Sequence, residues 1–145
     1  MAAALPEHAI RGTTRSPERL VELDTAGIEG VVADPDRLAT LVPVLGGVTV
    51  VCWLMGSAAE SPEVHGYRLR TLMEHLVDTP VRGFVYEAAG QVDAAVLERG
   101  AQIVREASET WRIPVQVVSA DPALHDEWLE AMKGAVERTM STLTP

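Results

Sequence analysis

The chain has 145 residues, of which 47% are hydrophobic, and a formal net charge of −9. That length supports one core, so we expect a single domain over residues 1–145. The acidic balance argues against nucleic acid and anionic membranes as partners, because both require basic surface. No secretory pattern opens the sequence and no apolar run reaches the roughly 18 residues of a membrane span, which predicts a cytoplasmic protein.

Strand and helix patterns alternate along the chain. The predicted strands are His8–Thr13, Ile28–Ala33, Val48–Met55, Val81–Tyr86 and Pro114–Ser119. The predicted helices are one that opens at Ser16, Pro17 and Glu18 and ends at Gly27, then Pro35–Leu45, Glu63–Val77, Ala94–Trp111 and Ala123–Met140. Strands joined by helical crossovers indicate a five-stranded parallel sheet in a three-layer α/β sandwich. Val48–Met55 is a continuous apolar run, which is typical of a central strand covered on both faces.

Three segments carry a resemblance to a known family. Arg11–Leu20, Glu29–Leu38 and Gly47–Gly56 are similar, in order and spacing, to the second, third and fourth strand regions of the short-chain dehydrogenase/reductase superfamily. The likeness is to its extended and atypical members, the NAD-dependent epimerase- and dehydratase-like proteins with an NAD(P)-binding Rossmann fold. No G-x-G-x-x-G turn follows a strand here, so the resemblance implies a Rossmann-like domain that lacks the first strand and the glycine-rich loop.

The resemblance implies cofactor contacts at the ends of the first two strands. An acid after the family's second strand selects NAD, whereas an arginine there accommodates the 2′-phosphate of NADP. This chain has Thr13, Thr14 and Arg15 at that place and no acid, which is similar to the NADP-preferring pattern. Asp34 matches an aspartate that lies beside the adenine. Arg15 is also interpretable as a solvated charge at a helix entry, and Asp34 as a helix N-cap.

Two further pairs complete the candidate site. Gly56 and Ser57 match the small residues that line the ribose and pyrophosphate in the family, although a simple turn explains them equally well. Tyr86 and Glu87 follow the next strand and are the ligand-facing pair that we expect there.

The sequence predicts no catalytic residue. The family uses a Tyr-x-x-x-Lys pair for proton transfer, and the nearest match, Tyr67 with Arg70, offers an arginine that cannot exchange protons at neutral pH. The histidines lack zinc-site spacing, and Cys52 in an apolar run is interpreted as an inert thiol.

Two functions follow from these observations. The first is a truncated or degenerate NAD(P)-binding protein that prefers NADP and has no demonstrable catalysis as the isolated chain. The alternative is a non-enzymatic, flavodoxin-like α/β module that acts through protein contacts. The expected partners are a nucleotide cofactor and a second copy of the chain in a homodimer.

The absent strand also predicts a strand order. Rossmann sheets run 3-2-1-4-5-6, and loss of strand 1 leaves a gap of two strand spacings, roughly 9.6 Å. Because unpaired backbone inside a protein is costly, we expect the gap to close into the order 2-1-3-4-5, with Val48–Met55 central and most buried. The alternative is a strained, marginal domain that a partner strand completes.

Overall fold

The computed structural model describes residues 1–143, and over that range it has five strands and five α-helices. The strands are β1 (Arg11–Thr14), β2 (Glu29–Val32), β3 (Val50–Trp53), β4 (Gly83–Glu87) and β5 (Val115–Val118). The helices are α1 (Leu20–Thr25), α2 (Leu38–Leu41), α3 (Tyr67–Leu76), α4 (Ala94–Trp111) and α5 (His125–Thr142). Short 3₁₀ turns lie at Ala2–Ala4, Pro17–Arg19, Val42–Leu45 and Pro62–His65. None of the helices in residues 1–143 has the length and apolar character needed to span a membrane.

The prediction of an alternating α/β chain is confirmed, but three helices are shorter than predicted. The helix predicted to open at Ser16, Pro17 and Glu18 begins as the 3₁₀ turn Pro17–Arg19 and is α-helical only over Leu20–Thr25. The predicted helix Pro35–Leu45 is helical only from Leu38 and turns into a 3₁₀ segment that contains Pro43. Proline removes an N–H and crowds the preceding turn, which ends regular α-helix. The predicted helix Glu63–Val77 is divided at Gly66, whose φ of −132° and ψ of −115° are not helical.

The predicted five-stranded sheet is wrong. β1 pairs in parallel only with β2, and β3, β4 and β5 form a separate parallel sheet in the order β3-β4-β5. No pairing joins β1 to β3 in residues 1–143, so the closed order 2-1-3-4-5 does not form. The prediction assumed that open strand edges would be sealed from water. In fact Arg11 and Thr13 are exposed and Val50–Cys52 is only half-buried, so water can satisfy their backbone groups.

The central strand of the larger sheet is β4, which corrects the prediction that Val48–Met55 is central and most buried. All five residues of β4 are buried, whereas only Trp53 of β3 is buried. Phe84 and Tyr86 point to the core under α3 and α4, and Val85 points to the opposite core under α5. The sheet β3-β4-β5 therefore lies between two helical layers, and the ends of β3 and β4 carry one part of the candidate site, Gly56, Ser57 and Glu87.

Candidate functional site

The loop after β1 is ordered by its own side chains. Thr14 Oγ1 accepts a hydrogen bond of 3.1 Å from the Ser16 N–H, which forms a tight turn at the exit of the strand. Thr13 is exposed beside it. Arg15 Nη2 lies 3.4 Å from Glu60 Oε1 in the loop that follows β3, and both side chains are more than half exposed. An ion pair this long and exposed is weak, so the Arg15 guanidinium is easily released.

The loop after β2 uses its two aspartates differently. Asp34 accepts the Asp36 N–H at 2.9 Å, which makes an Asx turn and not the predicted cap of a helix that starts there. Asp36 instead ties the loops together. Its carboxylate accepts hydrogen bonds from Arg68 Nε at 3.0 Å and from Ser61 Oγ at 2.5 Å.

Sequence reasoning missed Asp36, Ser61 and Arg68 as members of this loop cluster. Asp36 is 25 residues from Ser61 and 32 from Arg68. No local spacing indicates that these three side chains meet. The cluster fixes the loop after β2 against the start of α3.

Gly56 and Glu87 are brought together, as adjacent strand ends predict. The Gly56 N–H donates to Glu87 Oε1 at 2.8 Å, and the Gly56 carbonyl accepts the Val92 N–H at 2.9 Å. Glu87 Oε2 accepts a 2.7 Å hydrogen bond from Trp128 Nε1 on α5. Glu87 is buried and both carboxylate oxygens are engaged, while Ser57 is exposed on the adjoining turn. This carboxylate therefore joins the β3 loop to α5.

Tyr86 lies on the other face of the sheet from Glu87, because successive residues of a strand point to opposite faces. Its hydroxyl is buried 2.6 Å from His65 Nδ1, and His65 Nε2 is 2.8 Å from the Met55 carbonyl. A carbonyl only accepts, so His65 Nε2 carries the proton and Nδ1 accepts the proton of the Tyr86 hydroxyl. The pair is closed over by α4, where Gly100 leaves room for the Tyr86 hydroxyl.

Burial sets the protonation states of His65 and Tyr86. Burial lowers the pKa of His65, although its hydrogen bond to the Met55 carbonyl acts in the opposite direction. Burial raises the pKa of Tyr86, and the carboxylates of Glu87 and Glu98 raise it further. Both rings are therefore neutral at pH 7. Burial also raises the pKa of the Cys52 thiol to about 11, so it is not a thiolate at neutral pH.

We expect His65 to make the stability of the protein depend on pH. The pKa of His65 is lower in the folded than in the unfolded chain. Neutral His65 therefore contributes fully to the stability of the fold at pH values above its unfolded pKa of about 6.5. This contribution is lost as the pH falls from there towards the folded pKa. His65→Gln keeps one donor and one acceptor but cannot titrate. Urea unfolding at a series of pH values should show the wild type losing up to about 1.4 kcal/mol more per pH unit than this variant.

The exposed His75 on α3, beyond the break at Gly66, provides the matched control. His75→Gln should follow the wild-type pH profile, because this variant leaves the buried contact between His65 and Tyr86 intact. If His65→Gln also kept the wild-type profile below pH 6.5, the buried neutral imidazole would not be the cause.

The predicted site residues thus fall into two groups. Thr13, Thr14 and Arg15 lie together at the end of β1, with Asp34 at the end of the neighbouring β2. The second group contains Gly56, Ser57 and Glu87 around the ends of β3 and β4, and Tyr86 is directed away from them into the core. In residues 1–143, no group of three or more histidine, cysteine, aspartate or glutamate side chains is placed to hold a metal ion.

Comparison of the chain with protein-family models, curated proteins and solved structures gives no match. The likeness to short-chain dehydrogenases/reductases therefore remains an interpretation of the three sequence segments.

Proposed function

We propose that this chain binds the adenosine end of NADP at the carboxyl ends of β1 and β2, without catalysing hydride transfer. The proposal rests on the exposed Arg15 guanidinium directly after β1. The two positions before it are threonines, so no acidic residue stands at the end of this strand. An arginine in this place suits a 2′-phosphate, because its planar donors form paired, charge-assisted hydrogen bonds with phosphate oxygens.

The Glu60 carboxylate competes with the 2′-phosphate for the Arg15 guanidinium. Glu60 is the ion-pair partner of Arg15 in the described part of the chain, and their 3.4 Å contact is exposed. A 2′-phosphate would take the place of Glu60 beside the guanidinium. The exposed Thr13 hydroxyl is available as a further donor, whereas the Thr14 hydroxyl is used in the turn.

The positions of Tyr86 and Glu87 favour binding without catalysis. Both are buried on opposite faces of β4, and their polar atoms already have protein partners. Tyr67 is exposed at the start of α3, and Arg70 lies three residues further along the same helix. A proton donor must reach the substrate within hydrogen-bond distance, and an arginine cannot itself give up or take a proton at neutral pH.

Arg15→Ala should weaken NADP binding by about 1 to 3 kcal/mol, the worth of a hydrogen bond between charged groups, and leave NAD binding unchanged. Calorimetric titration of the purified chain with each cofactor measures the difference. Arg19→Ala is the matched control, because Arg19 carries the same charge and a comparable exposed ion pair, 3.5 Å from Glu22. It should leave both affinities unchanged.

A second variant tests the competitor. Glu60→Gln removes the carboxylate that pairs with Arg15 and should tighten NADP binding without affecting NAD. Equal losses of NADP and NAD affinity in Arg15→Ala, or no effect of either variant, would refute the assignment of Arg15.

A further inference from the structure

The outer edge of β1 has no neighbouring strand in residues 1–143. The carbonyls of Ile10 and Thr14 accept hydrogen bonds from the chain of β2. Backbone groups of successive strand residues point to opposite sides, so the N–H and C=O of Arg11 and Thr13 point away from β2.

The outer edge of β3 is open in the same way. The Thr49 carbonyl accepts the Arg82 N–H at 2.8 Å on the β4 side. By the same alternation, the backbone groups of Val50 and Cys52 point away from β4.

Arginine contacts near both ends of β1 reach the segments that flank β3. At the amino end of β1, Arg11 Nη1 donates to the carbonyls of Val44 and Gly46, at 2.7 and 2.8 Å, in the segment that leads into β3. After the carboxyl end of β1, Arg15 reaches Glu60 in the loop that follows β3. Within the described residues 1–143, long side chains and not backbone hydrogen bonds therefore connect the two edges.

We propose that the edges of β1 and β3 together accept one extended segment of a second polypeptide, which enters parallel to both strands and joins the two sheets. The outward groups of Arg11 and Thr13 would pair with one edge of this segment, and those of Val50 and Cys52 with the other. Recognition by added strands is an established mode of protein binding, in which backbone hydrogen bonds supply the affinity.

The surroundings of the gap define the chemistry of that segment. Ile10, Val50 and Cys52 pack towards the buried cluster beneath α5, and Val51 packs towards the cluster beneath α3 and α4. Both faces of an inserted strand would therefore meet apolar side chains. The segment that fits is about as long as β1 and β3, four residues each, and carries apolar side chains on both faces.

A folded second copy of the chain does not supply this segment. A strand that lies between two edges must have both of its own edges free. Every strand in residues 1–143 is already paired with at least one neighbour. The occupant that we propose is an unpaired, extended segment of another polypeptide. This inference concerns the strand edges and is independent of nucleotide binding by the loops.

Amide hydrogen exchange followed by NMR tests the proposal. The probe is a synthetic peptide of alternating valine and alanine with a lysine at each end for solubility. Exchange at Arg11, Thr13, Val50 and Cys52 should slow by about tenfold or more when the peptide is added. The amides of residues 12 and 51 are already paired inside their sheets, and their exchange should not change.

Matched variants separate pairing at both edges from other binding. Thr13→Pro and Cys52→Pro each remove one outward N–H, and each should abolish the protection while circular dichroism shows the fold retained. Val117→Pro makes the same change on β5, away from the gap, and should not affect it. Peptides N-methylated on either alternate set of residues should also fail, because each set faces one edge.

Four results would overturn the proposal. The first is no protection at saturating peptide, and the second is loss of binding with only one of the N-methylated peptides, which indicates a single edge. The third is slow exchange at all four amides without peptide, which indicates edges already closed on each other. The fourth is protection that rises only with protein concentration, which indicates a second copy as the occupant.

Discussion

Replacing Gly56 by alanine should lower the free energy of unfolding by about 3 kcal/mol, the upper range for an overpacked site that also strains a hydrogen bond. A Cβ at this position would lie 1.9 Å from the Ala89 carbonyl oxygen and 2.8 Å from Glu87 Oε1. The nearest obstacle is backbone, so no side-chain rotation relieves it. The loops after β3 and β4 must separate, and the 2.8 Å hydrogen bond from Gly56 to Glu87 is then lengthened.

Urea unfolding monitored by circular dichroism measures this loss. Gly46→Ala is the matched control, because a Cβ there meets no atom within 4 Å and its φ of −60° suits any residue. That variant should be unchanged or more stable by up to about 1 kcal/mol, since alanine restricts the unfolded chain. Similar losses in both variants would show that the close approach of the two loops is not the cause.

Replacing Glu87 by alanine should cost about 2 to 4 kcal/mol of stability. The change removes two charge-assisted hydrogen bonds, from the Gly56 N–H and from Trp128 Nε1, and leaves both donors without their acceptor. Each such bond contributes about 1.5 to 3 kcal/mol, and relaxation of the surroundings reduces the sum. Glu87→Gln keeps one acceptor oxygen and should lie between the wild type and Glu87→Ala in urea unfolding.

Glu98 provides the control for the loss of a carboxylate. Its side chain is largely exposed and lies 3.7 Å from Arg105, so Glu98→Ala should change stability by less than about 1 kcal/mol. If Glu87→Ala were as mild as Glu98→Ala, the carboxylate of Glu87 would not be the link between the β3 loop and α5.

Local patterns in the sequence were sufficient for the type of each element. The apolar positions of Ala94–Trp111 recur at helical spacing, and the structure has that helix with the same bounds. The residues predicted to end the strands of the larger sheet do lie near one another, because Gly56 and Glu87 share a hydrogen bond. The alternation of strand and helix, and the parallel direction of the strands, were also predictable, since crossover connections require them.

The partners of each strand and side chain were decided by the tertiary structure. The apolar run of β3 suggested a central strand, yet β4 takes that place because helices cover both of its faces. Tyr86 is a second example. The local sequence does not show whether this tyrosine lies in the core or contacts a ligand, and in the structure it points inward to His65.

The sequence by itself determined whether each element is a helix or a strand, and which of its sides is apolar. Both depend on propensity and hydrophobic spacing, which act over a few neighbouring residues. The division into two sheets depends on whether water reaches the backbone of β1 and β3. That is a property of the whole packed chain, in which exposed Arg11 and Thr13 need no neighbouring strand to satisfy their backbone groups.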